Sequence, residues 1–271
     1  MSVHISLRDK VIVVTGGTGI LGDAFIKALA EAGAAVGVLG RNEKVATERA
    51  DAIVQSGGRA MPLIADVTDA RQLQQVCDEV VKTYGKIDGL VNGAGGNIAE
   101  AVLQPEQDIF DLNIEALQKV MNINLFGSLL PTQIFGRAIR ANGKGSIVNI
   151  SSMAATQAIT KVLGYSLAKA AISNYTRWFA VELANRFGGD IRMNAIAPGF
   201  FLTEQNRTLL TNTDGSLTER GNLVINKTPF KRFGDPDELC GALLWLLSDD
   251  STFVSGTVIT VDGGFSAFSG V

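Results

Sequence analysis

The stretch Val11-Ile12-Val13-Val14-Thr15-Gly16-Gly17-Thr18-Gly19-Ile20-Leu21-Gly22 decides how the rest of the chain is read. Its β-branched residues make a short strand. Gly17, Gly19 and Gly22 then follow at G-x-G-x-x-G spacing, ahead of the helical pattern Asp23 to Ala30. Glycine at such places permits a tight turn, lets the backbone approach a ligand and brings helix close to strand. The free N–H groups and the positive end of the helix attract an anion such as a pyrophosphate. With 30 glycines in 271 residues, short glycine motifs arise easily by chance, so the weight lies in the position of this one between the first strand and the first helix. The expected cradle is Gly16, Thr18, Gly19, Ile20, Leu21 and Gly22.

Outward from the turn, short apolar runs alternate with longer amphipathic stretches. After Phe25 to Ala32 come Ala35 to Leu39, Glu43 to Gln55 and Ala60 to Ile64, then Leu90-Val91, Ser146 to Ile150, Met193 to Ala197 and Thr257 to Val261. Continuous apolar strands joined by helices predict an α/β fold, a Rossmann-like doubly wound parallel sheet of about seven strands with helices on both faces. Ligands of such sheets sit beyond the carboxyl ends of the strands. The spacing reads as one domain over 1–271. Its longest stretch without a sheet role, Phe200 to Phe233, is expected to be a substrate flap.

Composition narrows the partner. Lys and Arg number 24 against 27 Asp and Glu, a net charge of −3 with no long run of one sign, which argues against nucleic acid or anionic lipid and for a small molecule. Met1 to Lys10 lack the apolar stretch of a signal peptide, and no segment has 18 uninterrupted apolar residues, so a cytoplasmic location is expected. Cys77 and Cys240 are too few for a disulfide framework or a metal cage and read as buried hydrophobes. His4 is the single histidine, which argues against Ser-His-Asp, Cys-His and His-zinc chemistry; no metal is expected.

The end of the second strand, Leu39-Gly40-Arg41-Asn42, bears on which dinucleotide the turn would take. No carboxylate stands there to accept from a ribose 2′-hydroxyl, and Arg41 can fork onto a 2′-phosphate. NADP(H) is therefore expected, with NAD(H) the alternative should Arg41 be a solvated loop charge or stack on adenine. Further along, Tyr165 and Lys169 stand at i and i+4, on one face of a helix. A free phenol, with a pKa near ~10, exchanges protons poorly at neutral pH; an adjacent ammonium would lower that value and make Tyr165 a general acid or base. Ser152, just past the strand Ser146 to Ile150, is placed to hold a carbonyl oxygen beside the phenol.

With these pieces in place the chain resembles the short-chain dehydrogenase/reductase family over nearly its whole length. The resemblance is carried by Thr15 to Gly22, Asp66-Val67, Asn92-Gly93-Ala94-Gly95, Asn122 to Gly127, Ser151-Ser152, Tyr165 to Lys169, Pro198-Gly199 with Thr203, and Val261 to Gly264. It implies that Asp66 and Val67 hold adenine, Asn92, Gly93 and Ala94 the adenosine side, and Pro198, Gly199 and Thr203 the nicotinamide carboxamide. It also implies that Asn124 completes a tetrad with Ser152, Tyr165 and Lys169, and that Lys169 binds the nicotinamide ribose. Two departures stand out: Ile20 occupies a position where the shorter branch of the family usually has Gly, and Gly93 one where a second Asn is frequent.

The polar content of the stretch after Gly199 fits a polyhydroxylated substrate, with Arg207 and Asn97 as candidates for its carboxylate and hydroxyls. The segments Gly199 to Arg207 and Val261 to Val271 resemble the sugar-acid subgroup of the family, D-mannonate oxidoreductase or fructuronate reductase, which implies hydride transfer between NAD(P)(H) and a keto sugar acid. Reduction of a 3-oxoacyl thioester or another ketone is the rival reading, though the sequence displays neither an apolar channel nor a basic docking patch. A dinucleotide-binding sensor without catalysis would have no need of Asn124, Ser152, Tyr165 and Lys169 together. The family resemblance also implies a homo-oligomer, commonly a tetramer, through the helix carrying Tyr175, Trp178 and Phe179.

Overall fold

A computed structural model describes residues 5–270, apart from the side chains of residues 204 and 205; His4 lies outside the described residues. Seven strands form one parallel sheet: β1 (Val11–Thr15), β2 (Ala35–Gly40), β3 (Arg59–Ile64), β4 (Gly89–Asn92), β5 (Gly145–Ile150), β6 (Ile191–Pro198) and β7 (Val258–Val261), in the order β3-β2-β1-β4-β5-β6-β7. The chain winds outward from β1 to β3, then crosses back to β4 on the other side of β1. The order therefore reverses between β1 and β4, and a crevice opens at their carboxyl ends.

Alternation along the strands fills two layers of core. Ile12 and Val14 of β1 point to one face, where they meet Phe25, Ile26 and Leu29 of α1 (Ile20–Glu31), Ile53 of α2 (Glu43–Gln55), and Leu243 and Leu246. Val11 and Val13 point to the other face, where they meet Leu73, Val76 and Val80 of α3 (Ala70–Tyr84) together with Phe135, Ile139 and Ile172. Each such fully buried apolar side chain contributes about 1.5–3 kcal/mol. Cys77 and Cys240 are buried free thiols, as expected, and burial pushes each up to about 11. Helix α1 begins at Ile20, three residues before the sequence pattern places it, because Gly19 serves as its N-cap.

The second half of the chain supplies α4 (Ile114–Met121), α5 (Gly127–Ala141), α6 (Leu163–Phe187), α7 (Glu204–Leu210), α8 (Glu219–Lys227) and α9 (Cys240–Leu247). The three aromatic residues named for assembly, all on α6, are divided. Tyr175 is buried within this chain, its hydroxyl donating to Asn149 Oδ1 at 2.8 Å, and Phe179 packs edge-on against it, whereas Trp178 is 60% exposed. Among the described residues, no helix is long and apolar enough to cross a membrane.

Candidate active site

At the end of β1 the chain turns on Gly16, whose φ of +71° lies in the region that favours glycine. A Cβ there would stand 2.8 Å from the Ala94 nitrogen, so the first turn and the end of β4 touch backbone to backbone. Thr15 locks the contact: its Oγ1 accepts from the N–H groups of Gly93 and Ala94, at 3.1 and 3.2 Å. A Cβ on Gly22 would collide with the Gly16 carbonyl. Gly19, extended and with no side-chain cap to offer, leaves the amino end of α1 open. Thr18, Gly19, Ile20, Leu21 and Gly22 line the cleft this creates, and Ile20, the departure noted in the sequence, opens the helix there. One participant was not read from the sequence. Arg49 of α2 donates through Nη1 to the carbonyls of Gly17 and Gly19, at 2.6 and 2.8 Å, and its Nε lies 3.2 Å from Asp23.

An adjoining cleft of about 270 Å³ continues past the end of β2, lined by Arg41, Asp66, Val67 and Ala94 among others. Arg41 is largely exposed, and its Nη1 lies 3.6 Å from the Asp66 carboxylate. The Asp66 carboxyl is held below its ordinary value chiefly by the Thr68 hydroxyl. Burial opposes that effect; the Thr68 N–H and the Arg41 charge add to it. Two expected residues stand outside this lining. Asn42 is the N-cap of α2, its Oδ1 accepting from Val45 N. Asn92 is buried behind the strand ends, donating through Nδ2 to Thr132 Oγ1 and Asn149 Oδ1 at 2.8 Å each, and so holds β4 to its neighbours.

Six more of the expected residues meet at the first cleft, about 330 Å³ in volume. Ser152, Tyr165, Lys169, Pro198, Gly199 and Thr203 line it together with the glycine turn. Ser152 follows β5 and caps a short turn at Met153–Ala155, its Oγ accepting from Ala154 N. Tyr165 and Lys169 rise from the first turns of α6, with the Lys169 Nζ 5.4 Å from the centre of the phenol ring. Lys169 is buried and donates to the Ile150 carbonyl at 2.7 Å. Pro198 ends β6, and the N–H of Gly199 just after it donates to Val261 O, so β7 fixes that wall.

The electrostatics differ from the expectation that Lys169 acidifies the phenol. Burial raises the Tyr165 hydroxyl above its ordinary value, and the hydrogen bond with Ser152 pulls it back down. Burial also lowers the Lys169 ammonium to about 8. The cation that was to stabilise phenolate thus bears a desolvation penalty of its own, and the opposing influence on Tyr165 is Ser152.

Asn124 sits in a one-turn widening of the helix, Asn122–Phe126, between α4 and α5. Such π turns recur at functional sites. Its amide accepts from Gly96 N at 2.9 Å and donates to Gly96 O at 2.6 Å and to Val120 O at 2.8 Å, pinning the loop after β4. A Cβ on Gly95 would be 2.6 Å from Asn124 Oδ1 and 3.6 Å from Lys169 Nζ, so the asparagine and the lysine flank one glycine.

The substrate candidates do not join them. Asn97, next after Gly96, is partly buried but is not in the lining of either cleft. Arg207 lies on the exposed face of α7. Its neighbour Asn206 lines the cleft instead, accepting from Thr203 N and donating to Phe201 O at 2.8 Å each. A one-residue phase on a seven-residue helix separates the two, which the sequence pattern did not resolve.

The family model described as enoyl-(acyl carrier protein) reductase matches residues 18–266. A Bacillus subtilis (strain 168) protein named "Uncharacterized oxidoreductase UxuB" is 41% identical, over 99% of each chain. A crystal structure of a proposed D-mannonate oxidoreductase from Haemophilus influenza with bound NAD is 42% identical, with a TM-score of 0.90 over 98% of each chain. That of a gluconate 5-dehydrogenase from Burkholderia cenocepacia J2315, in complex with NADP and tartrate, is 32% identical, with a TM-score of 0.86 over 98% of each chain. The seven-stranded parallel sheet, the glycine turn and these matches along nearly the whole length place the chain in the short-chain dehydrogenase/reductase family of oxidoreductases.

Proposed function

We propose that this oxidoreductase uses a nicotinamide dinucleotide, NADP(H) in preference to NAD(H), to interconvert a keto sugar acid and its hydroxy form. The observation that carries the reading is a single cleft in which Ser152, Tyr165 and Lys169 face the glycine turn across the ends of β1, β4 and β5. The donor set fits a dinucleotide. The turn leaves no room for a Cβ at Gly16 or Gly22, the amino end of α1 is uncapped, and a second cleft with Arg41 and Asp66 adjoins the first. Arg41 supports the preference for a 2′-phosphate, while bound NAD in one relative and NADP in another keep both forms in the test.

When bound, the dinucleotide supplies or accepts a hydride. The chain's own residues manage the proton and the geometry. Tyr165 donates its phenolic proton to the carbonyl oxygen during reduction and takes it back during oxidation. A hydroxyl held above its ordinary value by burial is protonated at neutral pH, the state that reduction requires. Ser152 orients that oxygen beside the phenol, and Lys169 positions the ribose and contributes charge, so orientation and electrostatics carry most of the rate effect. Asn124 holds the Gly95-Gly96 loop beside Lys169. The segment 200–233, with α7 and α8, forms the flap within one domain spanning 1–271, and assembly as a tetramer through α6, where Trp178 is exposed, completes the proposal.

The sugar-acid assignment draws on relatives whose names carry sugar acids, among them the two described above, one of which holds tartrate, itself a hydroxy acid. Oxidation of NADPH and NADH, followed with a panel of keto sugar acids, neutral ketoses and acetoacetyl thioesters, tests it. Turnover confined to keto sugar acids, with a lower KM for NADPH, is the expected result. Preference for the thioesters would replace the substrate, and preference for NADH would replace the cofactor.

A further inference from the structure

We propose that Arg49 is a positioning residue of the dinucleotide site, which holds the carbonyl side of the glycine turn so that its N–H side is left for the pyrophosphate. The inference rests on the reading that the turn binds a dinucleotide. Arg49 belongs to a different helix from the turn, yet its Nη1 donates to both Gly17 O and Gly19 O, at 2.6 and 2.8 Å. Its Nε lies 3.2 Å from Asp23 Oδ1 in the first turn of α1, and Lys27 holds the other oxygen of that carboxylate at 2.6 Å. Arg49 is mostly buried and shares the cleft lining with Ile20, Leu21 and Gly22.

The turn needs such a tie. Gly17 N donates to Leu39 O and Gly19 N to Gly16 O, so those two N–H groups are spent inside the protein. Helical bonding across the N-cap starts with Asp23 N donating to Gly19 O, so the N–H groups ahead of it in the first turn of α1, those of Ile20 and Leu21 among them, have no carbonyl one turn back within the helix and are available to an anion. Peptides flanked by glycine reorient at low cost, and a reoriented peptide here would present an oxygen to the pyrophosphate in place of a nitrogen. Two charge-assisted bonds from a fixed guanidinium oppose that reorientation. The planar fork also ties α2, which starts just after Arg41 at the adenosine side, to α1 at the phosphate side. Recognition of the two ends of the dinucleotide is thereby linked.

The test uses the full chain and Arg49→Met, Arg49→Lys and Asp23→Asn, each checked for folding by its thermal midpoint, and titrated with NADPH, ADP and adenosine. Arg49→Met is expected to weaken NADPH and ADP about 10- to 100-fold, with adenosine changed less than about two-fold. In turnover, KM for the dinucleotide rises in step while KM for the carbonyl substrate stays within about two-fold. Arg49→Lys recovers part of the ADP affinity, because an ammonium can still reach one or both carbonyls; Asp23→Asn gives a smaller loss of the same kind. A folded Arg49→Met that binds ADP as the wild type does overturns the proposal, as does an equal loss for adenosine and ADP. Should Arg49→Met not fold, wild-type ADP affinity in both of the other variants overturns it. Failure of the wild type itself to bind ADP or NADPH would instead remove the dinucleotide reading beneath it.

Discussion

Replacing Lys169 with Met removes the ammonium buried beside Tyr165, and the consequence can be read in the pH dependence of stability. Burial lowers Lys169 from 10.5 to about 8, so the unfolded chain holds that proton more tightly than the folded one. At about 1.4 kcal/mol per pKa unit, the penalty on the folded state is about 3 kcal/mol wherever both states are protonated, that is, below about pH 8. Between about pH 8 and 10.5 the folded protein has released the proton and the unfolded chain has not, so stability rises with pH, and above that window the penalty is gone. From pH 7 to pH 9 the gain is about 1 kcal/mol. Tyr165, whose value is raised, works in the opposite direction. Its contribution is lost only as pH climbs above the ordinary value of 10, outside this interval. The absolute stability of Lys169→Met is a poor readout, because the Ile150 carbonyl loses its partner at a cost of about 1–3 kcal/mol. The assay is therefore urea unfolding of wild type and Lys169→Met at pH 7, 8 and 9. The wild type should gain about 1 kcal/mol relative to the variant across that range. Parallel pH profiles would refute the assignment of a buried, depressed ammonium.

Two further perturbations address the turn and the buried polar cluster. Gly22→Ala drives a Cβ into the Gly16 carbonyl; it should lower stability by about 1–3 kcal/mol and abolish the thermal shift produced by NADPH, and an undiminished shift would contradict the described geometry. Tyr175→Phe removes the donor to Asn149 Oδ1, which keeps its bond from Asn92, so the expected loss is about 1 kcal/mol in urea unfolding with the dinucleotide KM unmoved. A loss several times larger, or a change in that KM, would mean the cluster does more than fasten α6 to the sheet.

Much of this architecture is legible in the sequence because it is written in local patterns. Short apolar runs mark all seven strands, and Glu43 to Gln55 reads as a helix with the bounds the structure gives. The turn, Ser152 and the Tyr165/Lys169 pair are legible for the same reason: each is a short motif whose fold context is set by its immediate neighbours. What escaped depends on contacts between distant elements or on half a helical turn of phase. Arg49 is one more charge on an amphipathic helix until α2 is packed over the glycine turn. Arg207 and Asn206 differ only in which side of a short helix meets the cleft. Asn42 follows Arg41 at the end of β2, and its side-chain oxygen turns out to cap α2. The electrostatics of Tyr165 follow from burial, which spacing along a helix does not report, so the expected influence of Lys169 gave way to desolvation and Ser152.

The account stands most directly on the proton carried by Tyr165. The measurement is the rate of NADPH oxidation with a keto sugar acid for Tyr165→Phe against wild type, alongside the Kd of each for NADPH. The expected result is a loss in kcat of at least about 100-fold with the dinucleotide affinity within about two-fold. A variant that keeps most of the wild-type rate would contradict the role given to this phenol.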